Sequence, residues 1–167
     1  MKVQYLMKSI LRFLYITLII ITIASCSSED DAGITDVETS ELTNETNISD
    51  AILTLVNQHR EGLGLSVLSK NGTAEQLAID HTKYMISVNE INHDNFNQRG
   101  NALSDQENAT GTAENVARFY TDAQSVVNGW LNSPGHKENI EGNYMYTGIS
   151  AIKDQDGRYY YTQLFYR

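Results

Sequence analysis

The residues best placed to do chemistry stand in Gly129-Trp130-Leu131-Asn132-Ser133-Pro134-Gly135-His136-Lys137-Glu138-Asn139-Ile140, where one helix ends, the chain turns, and another helix starts with a histidine in its first turn. Ser133 is of the type that caps a helix, and Pro134, the one proline of the chain, suits the first helical position, where its missing N–H is not needed. His136 is thereby expected near a helix N-terminus, whose dipole disfavours imidazolium and leaves a neutral ring free to accept a hydrogen bond or bind a cation. The plainer alternative is a capping turn whose histidine only packs. Ser133 beside His136 pairs a hydroxyl with a base, but its place before Pro134 makes it a cap before a nucleophile. His93 lies in a polar connector, and Glu114 is flanked by the apolar Ala113, Val116 and Ala117. His93, Glu114 and His136 show no local ligand spacing, and nothing in their separations groups them.

The elements that would carry these residues can be read from periodicity. A first amphipathic helix begins near Ser49-Asp50, with Ile52, Leu55, Val56 and His59 at helical spacing and Gly62 and Gly64 closing it. Thr73-Ala74-Glu75-Gln76 has the form of a capping box and opens a second helix that buries Leu77, Ala78, His81, Met85 and Val88. His59 and His81 lie along apolar stripes and read as packing residues satisfied by a neighbour. Phe96 and Arg99 suggest a short helical turn, and 100–112, rich in Asn, Ser, Asp and Gly, reads as a loop. Glu114 then falls in an extended piece over 113–117. A third helix from Asp122 carries Ala123, Val126, Val127, Trp130 and Leu131 on one face, which makes Trp130 a core residue. Lys137-Glu138 reads as the solvated side of the short helix that follows. Residues 145–153 and 158–166, rich in Tyr, Ile, Thr and Phe, form a β-hairpin around Asp154-Gln155-Asp156-Gly157, its tyrosines packing their rings on a half-covered sheet with hydroxyls in water. Helices first and a hairpin last imply an α+β domain with helices on an antiparallel sheet.

Ahead of that domain, Lys2, Lys8 and Arg12 precede an apolar run from Phe13 to Ile21, and Ile23-Ala24-Ser25-Cys26 ends it. The run is short of the roughly 20 residues that a bilayer core requires and reads as a signal peptide over 1–25. Its end resembles the lipobox of bacterial lipoproteins, which implies cleavage before Cys26 and acylation of that residue. Cys26 is the sole cysteine, so it forms no internal disulfide, and acyl chains on it would anchor the protein to a membrane. Residues 26–49 follow as a disordered acidic tether, and 50–167 as the folded domain. The start of the tether, Ser27-Ser28-Glu29-Asp30-Asp31, resembles the acidic export signal of outer-membrane lipoproteins, or is a plain solvated spacer. Cleavage removes three of the 12 Lys and Arg and none of the 21 Asp and Glu, leaving nine cations against 21 anions, a net charge of −12. Such a charge argues against nucleic acid and against anionic lipid surfaces as partners.

Taken in order, Val56-Asn57-Gln58-His59-Arg60, Ala78-Ile79-Asp80-His81, Ile91-Asn92-His93, Ala113-Glu114-Asn115-Val116-Ala117, the stretch Trp130 to Ile140, Thr147-Gly148-Ile149 and Tyr160-Tyr161-Thr162-Gln163-Leu164-Phe165 resemble the CAP superfamily, the SCP-like domains of cysteine-rich secretory, antigen 5 and pathogenesis-related proteins. The resemblance covers about Ile52 to the C-terminus. It implies an α-β-α sandwich with a surface cleft that holds His93, His136 and Glu114, with Glu107 as a weak match for a second cleft acid. It further implies that the histidine pair can take a divalent cation, often zinc. The cysteines that staple many animal and plant members are absent, so the core must stand on packing. Three functions follow as expectations: an extracytoplasmic, envelope-tethered module binding a lipid, peptide, glycan or protein in the cleft; a metal-assisted hydrolase such as a peptidase, with Glu114 as general base; or a structural, adhesin-like domain. The resemblance favours the first, since fold and cleft alone do not fix function.

Overall fold

The computed structural model describes residues 41–167; the expected signal peptide, Cys26 and the expected tether up to residue 40 lie outside the described residues. Five helices and four strands follow one another as α1 (Thr46–Gly62), β1 (Ser69–Lys70), α2 (Gly72–Val88), α3 (Phe96–Glu107), β2 (Thr112–Arg118), α4 (Ala123–Leu131), α5 (Pro134–Glu141), β3 (Tyr146–Lys153) and β4 (Tyr159–Tyr166). The strands form one sheet in the order β1-β3-β4-β2. The hairpin β3–β4 and the pair β2–β4 are antiparallel, but β1 joins β3 in parallel, so the sheet is mixed where a purely antiparallel one was expected. Two residues of strand, both exposed, carry too little pattern for β1 to be read from the sequence.

Helices cover both faces, which gives the α-β-α sandwich. On one face α1, α4 and α5 pack Ile52, Val56, Val126, Val127, Trp130 and Ile140 against Ile149, Ala151, Tyr161 and Phe165. On the other, α2 and α3 pack Ala74, Leu103 and Met85 against Val116, Tyr160 and Tyr166. Every residue of β4 is buried, because it is a central strand covered on both sides. Its tyrosine hydroxyls therefore turn inward to protein partners instead of to water: Tyr160 donates to the Asn89 side chain (2.9 Å) and Tyr161 to the Tyr120 carbonyl (2.9 Å). Burial lifts the Tyr161 phenol far above its ordinary range.

Several element boundaries differ from the sequence reading, each for a local reason. The fold begins by Asn44, which bridges to Ile152 and accepts from the Ala151 N–H (2.8 Å), ahead of the boundary expected at residue 50. The N-cap of α2 is Asn71, whose side chain accepts from the Ala74 N–H (2.8 Å), and not Thr73, whose hydroxyl instead serves Glu107. Residues 96–107 form a helix of 12 residues where a turn and a loop were expected. Its intrinsic propensity is poor, and buried Arg99 and Leu103, four apart on one side, hold it against the rest of the domain. Val88 ends α2 exposed, and the buried stripe of α1 runs to Arg60 and leaves His59 part-exposed against Glu141 (2.8 Å).

Gly148 of β3 shows how closely α2 lies on the sheet: a Cβ there would stand 2.0 Å from the Ala74 carbonyl carbon, a backbone atom that cannot swing aside. Gly148→Ala is expected to cost about 3 kcal/mol or more in urea unfolding. Gly62→Ala, at a helical site with no atom within 4 Å, should be neutral or stabilising by up to about 1 kcal/mol.

Candidate functional site

Pleating sends successive side chains of β2 to opposite faces of the sheet. Ala113, Asn115 and Ala117 face α4 and α5, while Glu114 and Val116 face α2 and α3. Glu114 is thus driven inward with only 1% of its side chain exposed, a position that is costly for a carboxylate unless it is paired and hydrogen-bonded. Arg99 of α3, itself buried, supplies the pairing as a fork: Nε donates to Oε2 (2.8 Å) and Nη2 to Oε1 (2.8 Å). The third donor is His93, whose Nδ1 lies 2.8 Å from Oε1. A carboxylate paired in this way only accepts, so Nδ1 carries the hydrogen, and in the neutral ring Nε2 keeps its lone pair. The His93 ring is 53% exposed, and it presents that nitrogen as a fixed acceptor at the surface.

The loop that bears His93 is fastened on both sides of it. Arg99 Nη1 donates to the Asp94 carbonyl (2.7 Å). His81 of α2 donates from Nε2 to the Asn92 carbonyl (2.9 Å), and this nitrogen also lies 3.8 Å from the Glu114 carboxylate. His81 is 4% exposed; burial lowers its pKa more than the neighbouring Glu114 raises it. The sequence reading of His81 as a satisfied packing residue describes its surroundings, but its partner is the backbone next to the candidate site.

His136 reaches the same edge from the other face. Because β2 is an edge strand, its outer carbonyls need partners, and the helices supply them: Asn139 Nδ2 donates to Glu114 O (3.1 Å), and Trp130 Nε1 to Val116 O (3.3 Å). Asn115 Nδ2 donates to His136 O (3.1 Å), and its Oδ1 accepts from Asn139 (2.9 Å), so the start of α5 is tied to the strand that carries Glu114. The far end of α5 is held by Arg60, which spends its guanidinium on the carbonyls of Ile140 (2.6 Å), Gly142 (2.9 Å), Tyr144 (3.2 Å) and Ser66 (2.8 Å). Ser133 stands at the N-cap position with Pro134 after it, but its hydroxyl makes no capping bond. The His136 pKa is lowered by burial first and then by His93, whose protonated form would repel a second positive charge. Burial favours the neutral ring.

Glu107 is elsewhere. Its carboxylate accepts from Thr73, Asn71 and Tyr166 at the C-terminal end of α3, which lowers its pKa and makes it a tie between α2, α3 and β4 and not a second cleft acid. The cation that the resemblance implies meets a set of donors that does not suit it. Both Glu114 oxygens are committed to Arg99 and His93, which leaves two imidazole nitrogens, and among the described residues no three His, Cys, Asp or Glu side chains are grouped to hold a metal ion. Sequence reasoning missed Arg99 as part of the site. Its signal was its place six residues after His93 on a weak helix, which becomes legible only once Glu114 is known to be buried.

The comparisons with known proteins follow the same outline. The family model for the cysteine-rich secretory protein family, CAP, matches residues 53–165. The chain belongs to the CAP family. It is 30% identical over 120 residues to an uncharacterised membrane protein of Bacillus subtilis, across 68% of this chain and 33% of that one, so it spans about a third of that relative. An outer surface protein of Borrelia burgdorferi superposes with a TM-score of 0.67 at 24% identity, over 75% of this chain and 96% of that one. An extracellular protein containing an SCP domain from Bacillus anthracis superposes with a TM-score of 0.62 at 28% identity, over 73% and 41% of the two chains.

Two outcomes test this CAP site. Arg99→Leu leaves the Glu114 charge buried and uncompensated and should cost about 3–5 kcal/mol in chemical unfolding, with the double change Arg99→Leu/Glu114→Leu recovering much of the loss. The second concerns pH. His81 and His136 have folded pKa values below the ordinary 6.5, so as pH falls through about 6.5 the unfolded chain takes up protons first and stability drops. Stability should be at its plateau above that pH and decline as pH falls below it, and His81→Asn should show a shallower decline.

Proposed function

We propose that this CAP domain is an extracytoplasmic binding module, tethered to a bacterial membrane through acylated Cys26, that recognises its ligand at the imidazole pair His93 and His136. One observation carries the reading: His93 is exposed yet held through Nδ1 by a carboxylate that Arg99 already pairs. An imidazole fixed in one tautomer with its acceptor nitrogen outward is prepared for a ligand's hydrogen-bond donor, at little ordering cost on binding. Hydrolase chemistry with Glu114 as general base fits less well, since that carboxylate is enclosed and spends both oxygens on internal partners. A divalent cation at the two imidazoles would be held by two protein ligands only. Extracytoplasmic placement is supported by the descriptions of the Borrelia and Bacillus anthracis relatives as outer-surface and extracellular proteins, and a location on the outer membrane facing the surface by the acidic residues after Cys26.

The test is binding of the full chain to arrays of lipids, peptides and glycans, with His93→Ala and His136→Ala alongside. The reading expects at least one class of probe to be held by the wild type and lost about tenfold or more in both variants. Identical profiles for the three proteins would leave the structural, adhesin-like reading in its place. Peptide or ester turnover that disappears in Glu114→Gln would favour the hydrolase instead. For the anchor, Cys26→Ser should move the protein from the membrane fraction to the soluble fraction, and retention in the membrane would contradict acylation at that residue.

A further inference from the structure

The outer edge of β2 is protected along only part of its length. Just before and just after the strand, Gly111 O accepts from the Arg167 N–H (3.0 Å) and the Phe119 N–H donates to Tyr159 O (2.7 Å). With that phase the odd-numbered residues of β2 turn their main-chain groups to β4, and Thr112, Glu114, Val116 and Arg118 turn theirs outward. Asn139 and Trp130 cap the outward carbonyls of Glu114 and Val116. The capping stops short of Thr112, whose N–H and C=O meet no hydrogen-bond partner among the described residues. A groove of about 270 Å³ opens there, with Phe96, Asn97, Gly100 and Asn101 of α3 on one side and residues 109–112 on the other. Gly100 lets the helix approach the strand: a Cβ there would stand 3.2 Å from Thr112 Oγ1.

The chemistry of the groove selects a kind of ligand. An outward N–H and C=O on one edge residue are the pair of groups that a neighbouring strand completes, and a polypeptide main chain supplies both complements from a single residue. Asn97 and Asn101, four apart on α3 and both exposed, present carboxamides that donate and accept, as peptide groups require. The half-buried Phe96 adds an apolar surface for a side chain. No charged side chain lines the groove, so nothing in it answers a phosphate or a carboxylate. We propose that an extended peptide segment adds to the sheet at Thr112, exchanging two main-chain hydrogen bonds with that residue and lying between β2 and α3. The Phe96 N–H donates to His93 O (3.1 Å), so the groove borders the loop that carries His93, but strand addition uses neither imidazole and does not depend on the function assigned there.

The test is selection of a phage-displayed library of random dodecapeptides on the full chain in detergent, followed by NMR titration of the labelled chain with the selected peptides. Amide shifts should centre on Thr112 and on residues 96–101 with at least one peptide. Thr112→Pro removes the outward N–H without removing a ladder bond and should weaken that peptide by about tenfold or more. Thr112→Val, which keeps the main chain, should bind it as the wild type does. Should Thr112→Pro fold poorly, N-methylation of the peptide's own amides, one at a time, carries the test: at least one position must cost about tenfold or more. No peptide that shifts Thr112, unchanged affinity in a folded Thr112→Pro, or binding of maltohexaose at this groove in place of every peptide would overturn the proposal. Peptides that shift only residues around His93 and His136 would overturn it too, while supporting the cleft reading.

Discussion

The burial of Glu114 on an edge strand is the constraint from which the rest of the site follows. Strand periodicity places this carboxylate under α2 and α3, and leaving it there alone would cost several kcal/mol. Arg99 meets the charge with two parallel hydrogen bonds, and to do so α3 must be a helix despite its Asn, Ser and Gly content. The arginine's third nitrogen holds the Asp94 carbonyl, and His81 holds that of Asn92. One buried ion pair thus fixes the conformation of a surface loop and the tautomer of the histidine upon it.

The edge position of β2 matters equally. A central strand would have walled His93 off from α5; an edge strand lets a loop from one face and a helix from the other meet across its rim. That exposure creates unpaired carbonyls, which Asn139 and Trp130 occupy with side-chain donors. The same bonds that protect the edge position α5, and with Arg60 clasping its far end the helix is fixed at both termini. Protection of the strand edge and placement of His136 are therefore one structural arrangement.

Much of this was legible in the sequence. Apolar periodicity gave α1, α2, α4 and the hairpin, and Pro134 marked the start of α5. The ordered series of motifs brought His93, Glu114 and His136 together, which spacing alone could not do. The failures share a cause: they lie where tertiary contacts override local preference. Helix α3 depends on Arg99 and Leu103 being buried, β1 on two residues of parallel pairing, and the tyrosines of β4 on a second layer of helices that turns their hydroxyls inward. Glu107 was only a weak match for the second cleft acid that the resemblance implies, and its three donors lie at the opposite end of α3 from His93. The mixed sheet and the early start of the fold at Asn44 were hidden for the same reason, since single backbone pairings leave no periodic trace.

The central claim is that the Glu114–Arg99 pair orients His93, and long-range proton–nitrogen NMR spectra of the imidazole rings read that orientation directly. With the rings neutral, at about pH 8.5, His93 should appear as a single tautomer, protonated at Nδ1 with an unprotonated Nε2. Glu114→Gln should move it toward the mixture found in a free imidazole. A wild-type His93 protonated at Nε2, or one that averages between tautomers and is unmoved by Glu114→Gln, would contradict the account.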